Sequence, residues 1–163
     1  MGQGNDATQF AIPGYRNGQL LPRYHQISHR IYGDGSEGDP IEGAQEMHHE
    51  IDKLHARLFK YLLDKLASYS TPEGTLLDSG VAAWTNDLSH GVSHSYNNVP
   101  WVLAGSAGGF LKQGQYVDAG GVTHNKLFNT LLTAVGVRKA DGSPVDDFGD
   151  PGLAKGLISA MMA

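Results

Sequence analysis

Apolar residues recur at three- and four-residue steps between Ile41 and Ser68. Met47, Ile51, Leu54, Leu58, Leu62 and Leu66 fall on one stripe, the spacing of an amphipathic helix with a buried face. The stripe predicts a long helix over about 41–68. Two shorter apolar runs read as strands: Leu76 to Thr85 (LLDSGVAAWT) and Val99 to Ala104 (VPWVLA), both bounded by turn residues. Pro100 stands near the start of the second, where a missing N–H matters least. The stripe is expected to pack on the sheet these strands form. Thr123 reads as the N-cap of a helix running to about Val135, with Gly136 beyond its end. Pro22 suits the first turn of a short helix carrying His25 and His29, and another short helix is expected from Pro151 on. Pro13-Gly14 and Asn17-Gly18 mark residues 1–20 as loop, Gly33 to Pro40 as a break, Pro72-Glu73-Gly74 as a turn and Pro144 to Asp150 as an acidic loop. Helix, strand, strand and helix with long glycine-rich connections predict an α/β layer structure with a thin sheet.

Composition narrows the class. A chain of 163 residues is expected to form one domain with a real core; residues 1–20 read as a loop or disordered segment and 21–163 as the domain. Charged residues make up only 18% and glycines number 22, which points to a loop-rich protein and not to a coiled coil. A net charge of −5 argues against nucleic acid as the main partner, because phosphate binding needs a basic face. No run of 18 apolar residues exists, so no membrane span is expected. The first residues, MGQGND, lack the basic and apolar regions of a signal peptide. Cysteine is absent, which excludes disulfides and thiolate metal sites and leaves His, Asp, Glu or Asn as ligands.

The chemistry concentrates in a pentapeptide that occurs twice, His25-Gln26-Ile27-Ser28-His29 and His90-Gly91-Val92-Ser93-His94. Histidines at i and i+4 on a helix point the same way, one turn apart, a common way to offer two nitrogens to one metal ion. Asn86 and Asp87 follow the strand that ends at Thr85, and ligands gather at the carboxyl ends of strands in open α/β sheets. Asp87 and His94 are therefore candidate metal ligands alongside His25 and His29. Ser28, Asn86, His90 and Ser93 are the expected supporting polar groups that orient those ligands. No G-x-S-x-G is present, so neither serine reads as the nucleophile of a hydrolase elbow, and no catalytic residue is assigned. The competing reading is of unrelated histidines in polar loops. His48, Asp52 and His55 share a helix face and are expected to form a solvated flank beside the stripe. Asp146, Asp147 and Asp150 match no EF-hand spacing and read as a solvated turn. Gly105 to Gly109 lacks the lysine and spacing of a P-loop and reads as a tight turn for close backbone packing.

The ordered motifs His25-Gln-Ile-Ser-His29-Arg30, Thr75-Leu-Leu-Asp78, Trp84-Thr-Asn-Asp87, His94-Ser95, Asn98-Val-Pro100-Trp-Val-Leu-Ala-Gly105, Ala107-Gly-Gly109-Phe-Leu-Lys112 and Phe148-Gly-Asp150 together resemble the HXXSHH-motif domain. This is a bacterial family of unknown function within the alkaline-phosphatase-like superfamily. Arg30 stands where the motif has its last histidine. The resemblance covers the chain from about residue 20 on. It implies the C-terminal portion of an alkaline-phosphatase-like three-layer sandwich with a small, mostly parallel sheet. It also implies a periplasmic or secreted setting and a longer family architecture with an N-terminal half. In the superfamily's pattern His25 and His29 match a metal-binding pair with His for Asp. Asp87 matches a post-strand aspartate, Leu88 stands in place of the histidine paired with it, and His94 matches a late histidine. Two functions are then expected to compete. One is a degenerate or partial metal-dependent hydrolase of phosphate or sulfate esters, with zinc or a similar divalent ion polarising the ester. The other is a noncatalytic binding or structural domain. With few strands of its own, the chain is expected to leave an apolar sheet edge or face uncovered and to self-associate.

Overall fold

The structure, a computed structural model, describes residues 8–32 and 38–163. The first seven residues of the predicted loop, and positions 33–37 of the predicted break, lie outside the described residues. The chain mixes helices with short strands and falls into two compact units. One holds the described residues up to Tyr61 together with Asn86–Pro100; the other holds Leu62–Thr85 and Trp101–Ala163.

The first unit is built on α1 (Tyr24–His29) and the first half of α2 (Ala44–Ala67). Its core is Ile12, Leu21, Ile27, Ala44, Met47 and Ile51, with Phe10, Tyr15, Tyr24, Ile31 and Ile41 packed against it. The sequence stripe is thus half right. Met47 and Ile51 are fully buried, but Leu58 is 60% and Leu62 46% exposed. The expected seat on the sheet is not what buries the stripe, since the cluster around Met47 and Ile51 contains no residue of the predicted strands. Helix length explains the mismatch. Twenty-four residues span about 36 Å, whereas the cluster takes only Ala44, Met47 and Ile51 from α2. His48 and His55 do not form a solvated flank either. His48 lies edge-on to Tyr24 with ring centroids 5.2 Å apart, and His55 edge-on to Phe10 at 5.6 Å.

In the second unit Pro72-Glu73 turns between β1 (Ser70–Thr71) and β2 (Gly74–Thr75). The predicted strand over 76–85 is shorter than expected. Its first residues form α3 (Leu76–Ser79), because Thr75 and Asp78 make a capping box: each side chain accepts the other's backbone N–H, which fixes a helical turn. The remainder is β3 (Ala82–Thr85), paired with β4 (Trp101–Ala104) from Ala82 opposite Ala104 to Thr85 opposite Trp101. This pairing is antiparallel, and so is that of β1 with β2. The mostly parallel sheet implied by the resemblance is therefore corrected. The connection 86–100 leaves from Thr85 and re-enters at Trp101 directly opposite, where a parallel pair would need a crossover to the far end. Among the described residues two two-stranded pairs also fall short of the sheet of a three-layer sandwich.

Gly105 makes the tight turn that its run of glycines predicts. Gly105 has φ +100°, and the Ala107 and Gly108 N–H groups donate to the carbonyls of Gly80 and Asp78 at the end of α3. Helix α4 (His124–Ala134) follows Thr123 as expected. Its buried face is mostly polar, with Asn125, Asn129, Thr130 and Thr133 beside Leu127. Asn125 Nδ2 donates to Ala154 O and Asn129 Nδ2 to Gly156 O, while Asn129 Oδ1 accepts from Phe148 N and Thr130 Oγ1 from Ile158 N. These bonds hold the irregular stretch 148–158 in place of the helix expected from Pro151, and the only helical turn there is a 3-10 turn at Ser159–Met161. The acidic loop is not simply solvated. Lys139 bridges Asp146 and Asp147, and Lys155 lies 3.8 Å from Asp147. These contacts raise the Lys139 ammonium and lower the Asp146 carboxyl, but exposed pairs of this kind add little to stability.

Candidate functional site

The two pentapeptides meet within the first unit. The first is helical, so His25 and His29 are one turn apart on α1, with ring centroids 4.5 Å apart. The second does not form the helix its spacing suggested. His90 and Ser95 form an antiparallel bridge that closes it into a loop, and glycine at position 91 disfavours a helix there. Gly91 lies against α1: a Cβ there would stand 2.9 Å from Ser28 O and 3.1 Å from Ser28 Cβ. His94 takes the left-handed conformation, φ +50°, which is uncommon for a non-glycine residue. Its Nε2 then reaches His29 Nε2 at 3.0 Å, with the two rings edge-on.

One nitrogen of that pair must donate and the other accept. His29 is 6% exposed, and its Nδ1 is buried without a hydrogen-bond partner. A buried N–H without an acceptor is costly, so the proton of His29 belongs on Nε2, donated to His94. His94 itself remains exposed.

The other predicted site residues lie as follows. Asp87 is exposed and its N–H donates to Asn86 Oδ1. Its negative charge bears on Tyr24, whose phenol is raised first by burial and then by Asp52 and Asp87. His90 turns into its own loop, where Nδ1 accepts from Ser93 Oγ at 2.8 Å and from Ser93 N at 3.4 Å. Ser93 thus orients His90. Ser28 Oγ lies 3.0 Å from Tyr24 O and 3.3 Å from His48 Nε2. The hydroxyl proton goes to the carbonyl, which can only accept, so His48 donates to Ser28 and does not activate it as a nucleophile. Among the described residues no three His, Asp or Glu side chains are placed to hold one metal ion.

Sequence reasoning missed the partnership of Tyr24, Ser28 and His48. The signal was faint: Tyr24 and Ser28 stand four apart on α1, and His48 follows the buried Met47. Burial lowers the His48 imidazole. His48 and Asp52 also line an open groove of about 790 Å³ with Ile31, Ile41 and Ala44, and none of His25, His29 or His94 borders it. No helix among the described residues is long and apolar enough to cross a membrane.

Gly91 sets the approach of the second pentapeptide. Gly91→Ala should force the loop off Ser28 and separate His94 from His29, at a cost of about 1–3 kcal/mol. The imidazole ¹⁵N signals of His29 and His94 should both shift in NMR spectra. Unchanged signals at both rings would show that the loop does not depend on this approach.

Compared with protein-family models, curated proteins and solved structures, the chain has no match.

Proposed function

We propose that the chain is a degenerate hydrolase-like module of the HXXSHH type, keeping imidazoles from both pentapeptides without the ligand set for metal-dependent ester hydrolysis. The supporting observation is the His29–His94 contact. Its 3.0 Å separation and the unpartnered Nδ1 of His29 suit a hydrogen bond. They suit a metal poorly: an ion on Nε2 would leave the proton of His29 on Nδ1, where a ligating histidine ordinarily needs an acceptor. Asp87, the expected carboxylate, is exposed and engaged beside Asn86. On this reading the cluster pins the 90–95 loop to α1, and the module binds a partner or substrate without turning it over.

The alternative is a partial phosphate or sulfate ester hydrolase of the alkaline-phosphatase-like type, in which His25, His29, His94 and Asp87 hold zinc or a similar divalent ion. It draws on the left-handed φ of His94, since backbone strain of this kind collects at functional sites. A bound ion would supply Lewis acidity toward the ester; the protein's part would be to fix the imidazoles.

Elemental analysis of protein purified without a polyhistidine tag separates the two readings, together with a zinc titration and assays on p-nitrophenyl phosphate and sulfate. The expected result is metal well below one equivalent and no turnover. One tightly held equivalent of zinc, with ester hydrolysis abolished by His94→Ala, would establish the alternative.

A further inference from the structure

The chain contains one Asn-Gly pair, Asn17-Gly18. It lies in the first unit, in the tight turn Arg16–Gly18. The backbone of that turn calls for such a pair. Arg16, Asn17 and Gly18 are all left-handed, with φ 45°, 54° and 71°, a region that glycine enters freely and asparagine tolerates better than most side chains. Gly18 N donates to Tyr15 O at 2.9 Å, and Gln19 N to Arg16 O at 3.1 Å. Ala11 and Leu20 bridge across the turn, and the buried Ile12 and Leu21 stand next to that bridge.

The same pair carries a chemistry of its own. The Asn17 side chain is exposed, and its amide carbon is an electrophile within ring-closing reach of the next backbone nitrogen. Glycine has no side chain to hinder that nitrogen. Attack by Gly18 N on Asn17 Cγ forms a C–N bond and closes a succinimide ring. The side-chain amide leaves as ammonia, taking the proton of Gly18 N. Water then opens the ring at either carbonyl, giving aspartate or isoaspartate. Asp141-Gly142 could close the same ring, but Asp141 Oδ1 accepts from Ser143 Oγ at 2.6 Å and Ser143 N at 2.9 Å. These bonds, the hydroxyl first, hold its carboxyl below the usual range, and a carboxylate is a poor electrophile.

The folded turn opposes closure at Asn17. Its ψ of 26° nearly eclipses Gly18 N with Asn17 N, which swings the attacking atom away from Cβ. The Gly18 N–H is also engaged by Tyr15 O. The reaction therefore waits for local opening, whose free energy sets the rate.

We infer that Asn17 is a modification site, converted to aspartate or isoaspartate by attack of the Gly18 nitrogen at a rate set by opening of the 16–18 turn. Either product adds a negative charge beside Arg16, whose Nη2 lies against Gly43 just ahead of α2. Isoaspartate also routes the backbone through the side chain, which lengthens the turn closed by the Ala11–Leu20 bridge.

Peptide mass spectrometry of the full chain tests this, after ageing at mildly alkaline pH in buffer and in guanidinium chloride. A digest made before ageing corrects for conversion during handling. In denaturant, position 17 should gain about 1 Da before any other asparagine, and an isoaspartate methyltransferase should label the peptide that contains it. In buffer the gain should be at least about 10-fold slower. Gly18→Ala, compared in denaturant where its effect on the fold is irrelevant, should slow conversion by at least about 10-fold. No gain at Asn17 in denaturant, or another asparagine converting first, overturns the site. So does a Gly18→Ala chain that converts as fast as wild type. Equal rates in buffer and in denaturant overturn control by the turn.

Discussion

Replacing Ile51 by alanine is expected to destabilise the first unit by about 2–5 kcal/mol, while Leu58→Ala should cost under about 0.5 kcal/mol. The two residues occupy one sequence stripe and would be equal if the stripe were uniformly buried. Ile51 is fully enclosed among Ile12, Leu21, Ile27 and Met47, whereas Leu58 is largely exposed. Truncating Ile51 removes apolar surface from a packed interior and leaves a cavity; truncating Leu58 trims a side chain that already meets water. Urea unfolding would show the contrast as a large midpoint shift for one variant and almost none for the other. Equal shifts would place the buried half of α2 at the wrong end.

Gly105→Ala should be the most damaging single substitution in the second unit. A Cβ there would lie 2.4 Å from Gly80 O and 2.5 Å from Leu77 O, inside any tolerated contact, and both obstacles are backbone. The φ of +100° adds a conformational penalty that no rotamer relieves. The loop would have to leave α3, taking with it the Ala107 and Gly108 hydrogen bonds and those joining Gln113 to both the N–H and the carbonyl of Gly105. A loss of at least about 3 kcal/mol, or failure to fold, is expected. A soluble Gly105→Ala protein within about 0.5 kcal/mol of wild type in urea unfolding would refute this close approach.

How far the sequence could be read depended on the range of the interaction. α2 and α4 were legible from their periodicity and from Thr123, signals that lie within a few residues. The capping box of Thr75 and Asp78 was equally local but was outweighed by the apolar run around it. Strand direction was not legible, because it depends on how residues 86–100 return to Trp101. The exposure of Leu58 was hidden for the same reason: periodicity shows which face of a helix is apolar, not how far along it the covering layer reaches. At the candidate site, the doubled pentapeptide correctly singled out His29 and His94 as neighbours. The loop form of its second copy was not legible from the spacing, and the role of His48 depended on a contact with Ser28 twenty positions away.

The polar inner face of α4 has a thermal consequence. Asn125, Asn129 and Thr130 secure the stretch 148–158 by amide and hydroxyl bonds, beside an edge-on contact of Phe128 with Phe148. Exposing the amides and hydroxyls of such a seam lowers the heat capacity, where apolar exposure raises it. The polar groups of this stretch would therefore offset part of the heat-capacity increase that its apolar neighbours, Leu127 and Phe128, contribute on unfolding. Cooling weakens hydrophobic cores such as that around Met47 and Ile51, whereas the hydrogen bonds along α4 do not share that dependence.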